Sequence, residues 1–540
     1  MLMVWRLRLK EIYFKNDSSQ LNQDQTAMKK NDRIYMNHNP IKNAFRINMA
    51  RNIILLQTVF MIMVILTGIA YSEHIKPNII LILADDLGYS ELGCYGQNKI
   101  KTPNLDLLAS EGMKLTDHYS GSPVCAPSRC VLMTGKHTGH SFVRDNKEFP
   151  REGQIPIPSD SFTISKMLKA KGYTTGCVGK WGLGSPGSEG DPLNQGFDLF
   201  FGYNCQRQAH YYYPKYLWKN NQKIELSGNN ERTGTTYSPD LMKKEVLNFV
   251  RENKDRPFFL YWPTPVPHVS LQVPEDSLEG YRNRWNEKPY KGGHYSDHKT
   301  PKAAYAAMIT RMDRDIGELL SLLKELSLEE NTLVIFTSDN GTTFAGGVDA
   351  KFFNSVGKLR GLKGKLDEGG IRVPFIARWT GHIARGTTSS HVSAFWDILP
   401  TLADIAEVQS FQDIDGISFA PTLLGKSGQK KHEFLYWEFS GKGGQVSVRM
   451  DNWKGIRRNL IKNPAAKIEL YNLNKDIAEK NNLAEQHPEI VQRIKMIMVR
   501  EHAPSKEFPF MALDSHETEV LIDKTRKATG IHNCDLVELK

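Results

Sequence analysis

The sequence predicts an α/β protein: a large mixed, mostly parallel β-sheet sandwiched by helices, followed by a smaller C-terminal antiparallel-sheet subdomain. Three observations predict it. Short, almost wholly apolar runs such as NIILILA (Asn78–Ala84) have the composition of strands buried on both faces, as in parallel sheets. Stretches of helical period alternate with these runs. After about residue 415 the apolar runs become short and closely spaced, as in a meander.

Taken in order, Asn78–Ala84 ends directly on Asp85-Asp86. Phe162–Lys171 reads as a helix with Gly172 as its stop. Thr174–Val178 reads as a strand that runs out at Gly179-Lys180, and Pro257–Trp262 as a strand that leads through a Pro-rich turn to His268. Tyr305, Met308, Ile309, Met312, Ile316, Leu319, Leu320 and Leu323 recur at three- and four-residue spacing, which marks one apolar helix face. That helix feeds Thr332–Thr337, a β-rich run closed by Ser338-Asp339-Asn340-Gly341. In doubly wound sheets ligands sit at the carboxyl ends of the strands. Asp85/Asp86, Lys180, His268 and Asp339/Asn340 would therefore converge on one crevice if the strands are parallel. Phe434–Phe439, Gln445–Met450 and Lys467–Tyr471 read as meander strands and Pro488–Val499 as a closing helix.

The domain expectation is an N-terminal segment 1–72, an α/β domain over 73–415 and the smaller subdomain over 416–540. Ile53–Tyr71 is an uncharged apolar run with Arg51 just before it and Ala70-Tyr71-Ser72 just after. A basic start, an apolar stretch and small residues spaced two apart describe a secretory signal peptide. The reading is a start at Met49, cleavage after Ser72 and an exported protein, periplasmic or extracellular; an uncleaved membrane anchor is the alternative. Of the formal charge of +10 on 540 residues, the first 72 carry +6. The remainder is nearly neutral, which argues against nucleic acid as a partner. The six cysteines show no CxxC pair or Cys/His grid that would suggest zinc. Export would permit disulfides, but their connectivity is not readable from spacing.

Asp85, Asp86, Asp339 and Asn340 offer only oxygen ligands, which suit calcium or magnesium. Each taken alone is equally a turn or cap residue after a strand. In Cys125-Ala126-Pro127-Ser128-Arg129, Pro127 suits the first turn of a helix, so Cys125 would stand at a helix N-terminus, where free N–H groups favour an anion. Arg129 follows one turn later on the same face.

Cys-x-Pro-Ser-Arg resembles the signature of the type I, formylglycine-dependent sulfatases, arylsulfatase-like members of the alkaline phosphatase superfamily. The likeness extends to ADDLGY (Ala84–Tyr89), TPNLDLLASEG (Thr102–Gly112), LMTG (Leu132–Gly135), GKWGLG (Gly179–Gly184), SDNG (Ser338–Gly341) and EGGIRVP (Glu368–Pro374). It implies a sulfuric ester hydrolase in which a maturation enzyme oxidises Cys125 to formylglycine. Calcium would be bound by Asp85, Asp86, Asp339 and Asn340, with the modified Cys125 facing it. Arg129 would stabilise the aldehyde hydrate and help hold the sulfate, Lys180 and Lys363 would contact its oxygens, and His268 would protonate the leaving alcohol. Lys365 is a nearby competitor of Lys363. One hydroxyl of the hydrate would attack sulfur, and loss of the other's proton would later expel sulfate. Members of the family with a GKWHLG pattern carry a His where this chain has Gly182, which leaves the base for sulfate expulsion open among His137, His140 and His210.

The implied substrate is a sulfated small molecule or glycan. Gln206–Pro214, QRQAHYYYP, could stack on sugar rings or pack in a core. His294 and His298 receive no role. Two other readings compete: a phosphate or phosphonate ester hydrolase of the same superfamily, and a non-catalytic glycan-binding protein with an unmodified Cys125.

Overall fold

The computed structural model describes residues 45, 48–61, 76–149, 152–408 and 413–514. Most of the predicted N-terminal extension, the cleavage point after Ser72 and Cys534 lie outside the described residues. Residues 48–61 are helical and belong to a different unit from the one that begins at Ile75. Among the described residues, no helix is long and apolar enough to cross a membrane. The second unit, which begins at Ile75, holds the β-sheets.

Its strands are β1 (Asn78–Ala84), β2 (Met113–Leu115), β3 (His118–Tyr119), β4 (Thr174–Lys180), β5 (Leu199–Tyr203), β6 (Tyr216–Lys219), β7 (Gln222–Glu225), β8 (Phe258–Pro263), β9 (Thr332–Ser338), β10 (Phe375–Arg378), β11 (Thr387–Ser389), β12 (Ser393–Ala394), β13 (Leu435–Phe439), β14 (Gln445–Met450), β15 (Trp453–Arg458) and β16 (Glu469–Asn472). Ten of them form one sheet in the order β11-β2-β10-β9-β1-β8-β4-β5-β6-β7. The five central strands, β9, β1, β8, β4 and β5, are parallel. β10 joins antiparallel on one side and β6–β7 as an antiparallel hairpin on the other. The fold class is the one the sequence predicts.

The pleat explains why β1 is apolar throughout. Ile79, Leu81 and Leu83 enter the core on one face, while Ile80, Ile82 and Ala84 enter the core on the other. Each large aliphatic side chain buried in this way contributes about 1.5–3 kcal/mol. The first core takes Ala126, Cys130, Val131 and Met133 from the helix Cys125–Thr134. The second takes the apolar face of the long helix Pro301–Glu325 and Met242, Val246 and Phe249 of the helix Ser238–Glu252. The sheet is thus covered on both sides.

β13 to β16 form a separate antiparallel meander. Val446, Val448 and Leu470 pack under the helix Pro488–Arg500, against Ile494, Ile497 and Met498. The other face sends Leu435, Trp437, Phe439 and Ile456 into the first core of the large sheet. The five described cysteines are free thiols.

Candidate active site

Because the five central strands are parallel, their carboxyl ends open on one side, and the chain places its polar residues there. Asp85 and Asp86 follow β1, Lys180 ends β4, His268 follows β8, and Asp339 and Asn340 follow β9. The junction is tied across strands: Asp339 N–H donates to the Ala84 carbonyl at 3.0 Å, and Asp86 N–H donates to Asp339 Oδ1 at 3.1 Å. Asp86 holds a left-handed φ of 65°, a conformation Asp tolerates better than most residues.

Cys125 opens a buried ten-residue helix whose N-cap, Val124, is extended and offers no side-chain cap. The Ala126 N–H finds Asn146 Oδ1 at 3.1 Å, and the helix stops at Gly135, in the left-handed cap conformation at φ 69°. The Cys125 sulfur stands 3.4 Å from Asp85 Oδ1 and 3.4 Å from Lys363 Nζ. Burial, and then Asp85, push its thiol up to about 12, so the thiol is protonated at neutral pH.

Around the sulfur lie three carboxylates and three cations. Lys180 Nζ reaches Asp85 Oδ2 at 2.6 Å, Lys363 Nζ reaches Asp86 Oδ1 at 2.7 Å, and Arg129 Nη2 reaches Asp339 Oδ2 at 2.7 Å. Arg129 also donates to the Lys180 carbonyl, which fixes the end of β4. Asp85, Asp86, Asp339, Arg129 and Lys180 are almost wholly buried. Burial raises each carboxyl. For Asp85 that is outweighed by Lys180, His268, Arg129 and Lys363, and its carboxyl falls below the usual range. For Asp339, burial and Asp85 prevail and lift it to about 7. Lys363 is held by its loop: its N–H donates to Thr342 O, and the Gly364 N–H donates to Pro123 O. Lys365, its competitor in the sequence, is exposed.

His268 is buried, with its Nδ1 facing the Val269 carbonyl and its Nε2 3.6 Å from Asp86 Oδ2. Nδ1 thus carries the hydrogen in the neutral ring. Burial and Lys363 hold the imidazole well below its ordinary value. The turn that carries it is pinned by Tyr212, whose buried hydroxyl lies 2.6 Å from the carbonyls of both Pro265 and His268. Tyr212 of the QRQAHYYYP segment is therefore packing, not a sugar platform.

Of the three histidines left open as a base, only His210 is at the site. Its ring stacks on His268 with centroids 4.8 Å apart. His137 and His140 lie instead with Asp415 and Glu501. His137 Nδ1 accepts the Gly139 N–H at 3.1 Å, so Nε2 bears the proton and faces Glu501 at 3.2 Å. That is a hydrogen-bonded cluster joining distant segments.

Sequence reasoning gives no role to the segment around His294, yet it walls the site. His294 Nε2 lies 3.2 Å from His210 Nδ1, and the Tyr295 ring lies 6.5 Å from that of His268. Burial raises the Tyr295 hydroxyl above its ordinary value, with Lys363 opposing the shift and Asp86 adding to it. The only signal was compositional: the aromatic or titratable residues His294, Tyr295, Asp297 and His298 just after Gly292-Gly293.

The donor set fits a hard divalent cation. Asp85, Asp86, Asp339 and Asn340 supply oxygens only. Asn340 Oδ1 is buried without a hydrogen-bond partner among the described residues, while its Nδ2 donates to Asp86 and to Gly341 O. An orphaned acceptor among carboxylates is what a cation would complete.

The family described as Sulfatase matches residues 77–408. The chain belongs to the sulfatase family. Sulfatases are sulfuric ester hydrolases, and a second family match, N-sulphoglucosamine sulphohydrolase, C-terminal, covers residues 363–503. The sulfatase from Rattus norvegicus named N-acetylgalactosamine-6-sulfatase is 35% identical over 64% of this chain and 66% of its own length, just under two thirds. Homo sapiens Arylsulfatase A is 30% identical over 81% of this chain and 90% of its own length. Among solved structures, Ps i-CgsB in complex with k-i-k-neocarrahexaose is 30% identical, with a TM-score of 0.66 over 79% of this chain and 92% of that one.

Proposed function

We propose that this sulfatase hydrolyses sulfate monoesters of a saccharide, with Cys125 as the precursor of the nucleophile. The observation that carries the reading is the placement of Cys125. It stands at a helix N-terminus, flanked by Lys363 and Asp85, with Arg129 and Lys180 on the same carboxylates. A tetrahedral dianion needs converging cations, and removing one such preorganised donor typically costs on the order of 10²–10³ in rate. A protonated thiol does not meet the need for a nucleophile, whereas a formylglycine hydrate supplies a hydroxyl that attacks sulfur and restores its aldehyde as sulfate leaves.

Asp85, Asp86, Asp339 and Asn340 would hold calcium, which acts as a Lewis acid and orients the ester when bound. Lys180 and Lys363, which lie on Asp85 and Asp86, would be free to turn toward sulfate oxygens once those carboxylates held the cation. His268 Nε2, 3.6 Å from Asp86 Oδ2, faces the same carboxylates; with Lys363 drawn onto a bound anion the ring would take up a proton at Nε2 and pass it to the departing alcohol, its position fixed by Val269 O and by the stacked His210. The names N-acetylgalactosamine-6-sulfatase and neocarrahexaose among similar proteins support a saccharide as the alcohol part. The signal-like run supports export, with the maturation enzyme acting before the chain folds shut over Cys125.

The test is turnover of a panel of sulfated saccharides and aryl sulfates, set beside the matching aryl phosphate, with the mass of the peptide spanning Cys125 measured on the same preparation. Sulfate release that exceeds phosphate release, from protein carrying formylglycine, is expected. A preference for phosphate, or full sulfate turnover by protein with an intact thiol, would overturn the proposal.

A further inference from the structure

Gly182 lies two residues beyond Lys180, where β4 leaves the sheet, and has φ 81°. Its N–H donates to the Asn204 carbonyl at 3.2 Å, which holds the turn against the chain leaving β5. A Cβ at this position would stand 1.9 Å from Gln206 Nε2 and 2.9 Å from its Cδ. The carboxamide of Gln206 therefore fills the space a side chain at 182 would take. Gln206 is 5% exposed, yet neither Nε2 nor Oε1 has a hydrogen-bond partner among the described residues. Asn204 Oδ1, two residues earlier, is also buried and unpartnered.

Buried amides are almost always paired, because each unmade hydrogen bond carries its full desolvation cost. A side chain needed only to fill volume here would be Leu or Met. The amide instead sits against Gly182, two residues beyond Lys180, whose carbonyl takes Arg129 and whose ammonium lies on Asp85. Four residues beyond Gln206, His210 stacks against His268.

We propose that Gln206 is a sulfate-binding residue, its Nε2 donating to a sulfate oxygen beside Lys180. The proposal rests on the sulfate ester reading above. A carboxamide neither gives nor takes a proton in the working pH range, so its part is to hold the anion. The glycine at 182 is then the condition for it, since any Cβ there would displace the amide.

The experiment uses the full matured chain, inorganic sulfate as the probe, and the near-isosteric Gln206→Met, with Gln206→Leu as a second variant should the first fold poorly. Sulfate affinity is read by titration calorimetry, fold by thermal unfolding, and kcat and KM on an aryl sulfate. The variant is expected to unfold at the same or a higher temperature, because orphaned polar atoms are removed. It is also expected to lose sulfate affinity and kcat/KM by about 10- to 100-fold, the range for one hydrogen bond to a charged group. Sulfate affinity within threefold of the wild type overturns the proposal, as does a wild type that binds no sulfate. If sulfate binding falls as expected in a protein that turns over no sulfate ester, the hydrolase reading fails and the Gln206 assignment stands.

Discussion

At Cys125 the local field opposes ionisation. The side chain is buried, Asp85 Oδ1 is 3.4 Å from the sulfur, and the nearest cation, Lys363, is shared with Asp86. A thiol pushed up to about 12 is a poor nucleophile at neutral pH, which supports the proposal that Cys125 is a precursor of the nucleophile. Cys125→Ala is expected to abolish sulfate ester turnover while moving the unfolding temperature by no more than a few degrees, since the sulfur fills little volume at a helix end. Parallel kinetics and thermal scans check this; residual turnover above the level of a mock purification would remove Cys125 from the mechanism. Residues of this kind were legible because the chemistry is written in neighbours: Cys125, Pro127 and Arg129 lie within one helical turn. Lys363 and Lys365 were not separable, because they differ by two positions in a loop without period. Only the tertiary bonds of Lys363 and Gly364 to Thr342 and Pro123 turn the first inward. Gln206 was invisible, because nothing in the sequence couples it to Gly182.

Elements follow the same division. β1, β8 and β9 were legible, since strands buried on both faces are apolar at most positions, and β4 through its β-branched residues Thr174, Thr175 and Val178. β5, LFFGY, was missed because it is short and carries a glycine. β15, WKGIRR, was missed because a core position holds Lys454, whose ammonium is buried on Glu368 and Glu479. The segment from Tyr290 to His298, closed by a bridge between those two residues, had no period to read. It is nonetheless anchored over the site. Ser296 N–H donates to Ser270 Oγ at 3.0 Å, and the Tyr211 hydroxyl donates to the His294 carbonyl at 3.1 Å. His294 lies against His210, which stacks on His268, the residue proposed to protonate the alcohol. Tyr295→Phe combined with His294→Ala is therefore expected to lower kcat/KM for a saccharide sulfate by about tenfold, the worth of one lost hydrogen bond. The same change should leave a small aryl sulfate within threefold. Equal losses on both substrates would show that the segment supports the nucleophile and not the saccharide.

Across the whole molecule, the C-terminal sheet secures the loop that carries Lys363. Gln445 of β14 donates to Gly364 O at 3.0 Å and accepts the Leu366 N–H at 3.2 Å. Behind that loop Glu368, fully buried, pairs with Lys454 of β15 at 2.9 Å and Arg372 at 3.2 Å, and accepts the Tyr119 hydroxyl at 2.6 Å. Burial raises the Glu368 carboxyl, but Lys454, Arg372 and Arg449 outweigh it and bring it down to about 2. A carboxyl whose folded value lies below its unfolded value, near 4.5, stabilises the fold fully above that pH. The contribution is lost as pH falls from about 4.5 toward 2, because the unfolded chain then binds the proton first. Glu368→Gln leaves buried cations with less compensation and is expected to cost about 3–5 kcal/mol at neutral pH. In denaturant unfolding followed from pH 7 down to 3, the gap between wild type and variant should be constant to about pH 4.5 and narrow below it. A gap that stays constant across the whole range would show that Glu368 acts by shape and not by charge. Because the same ion pairs brace the Lys363 loop, the variant should also lose sulfate ester turnover under conditions where it remains folded, and recover none of it by added salt, since the pairs are buried beyond the reach of screening.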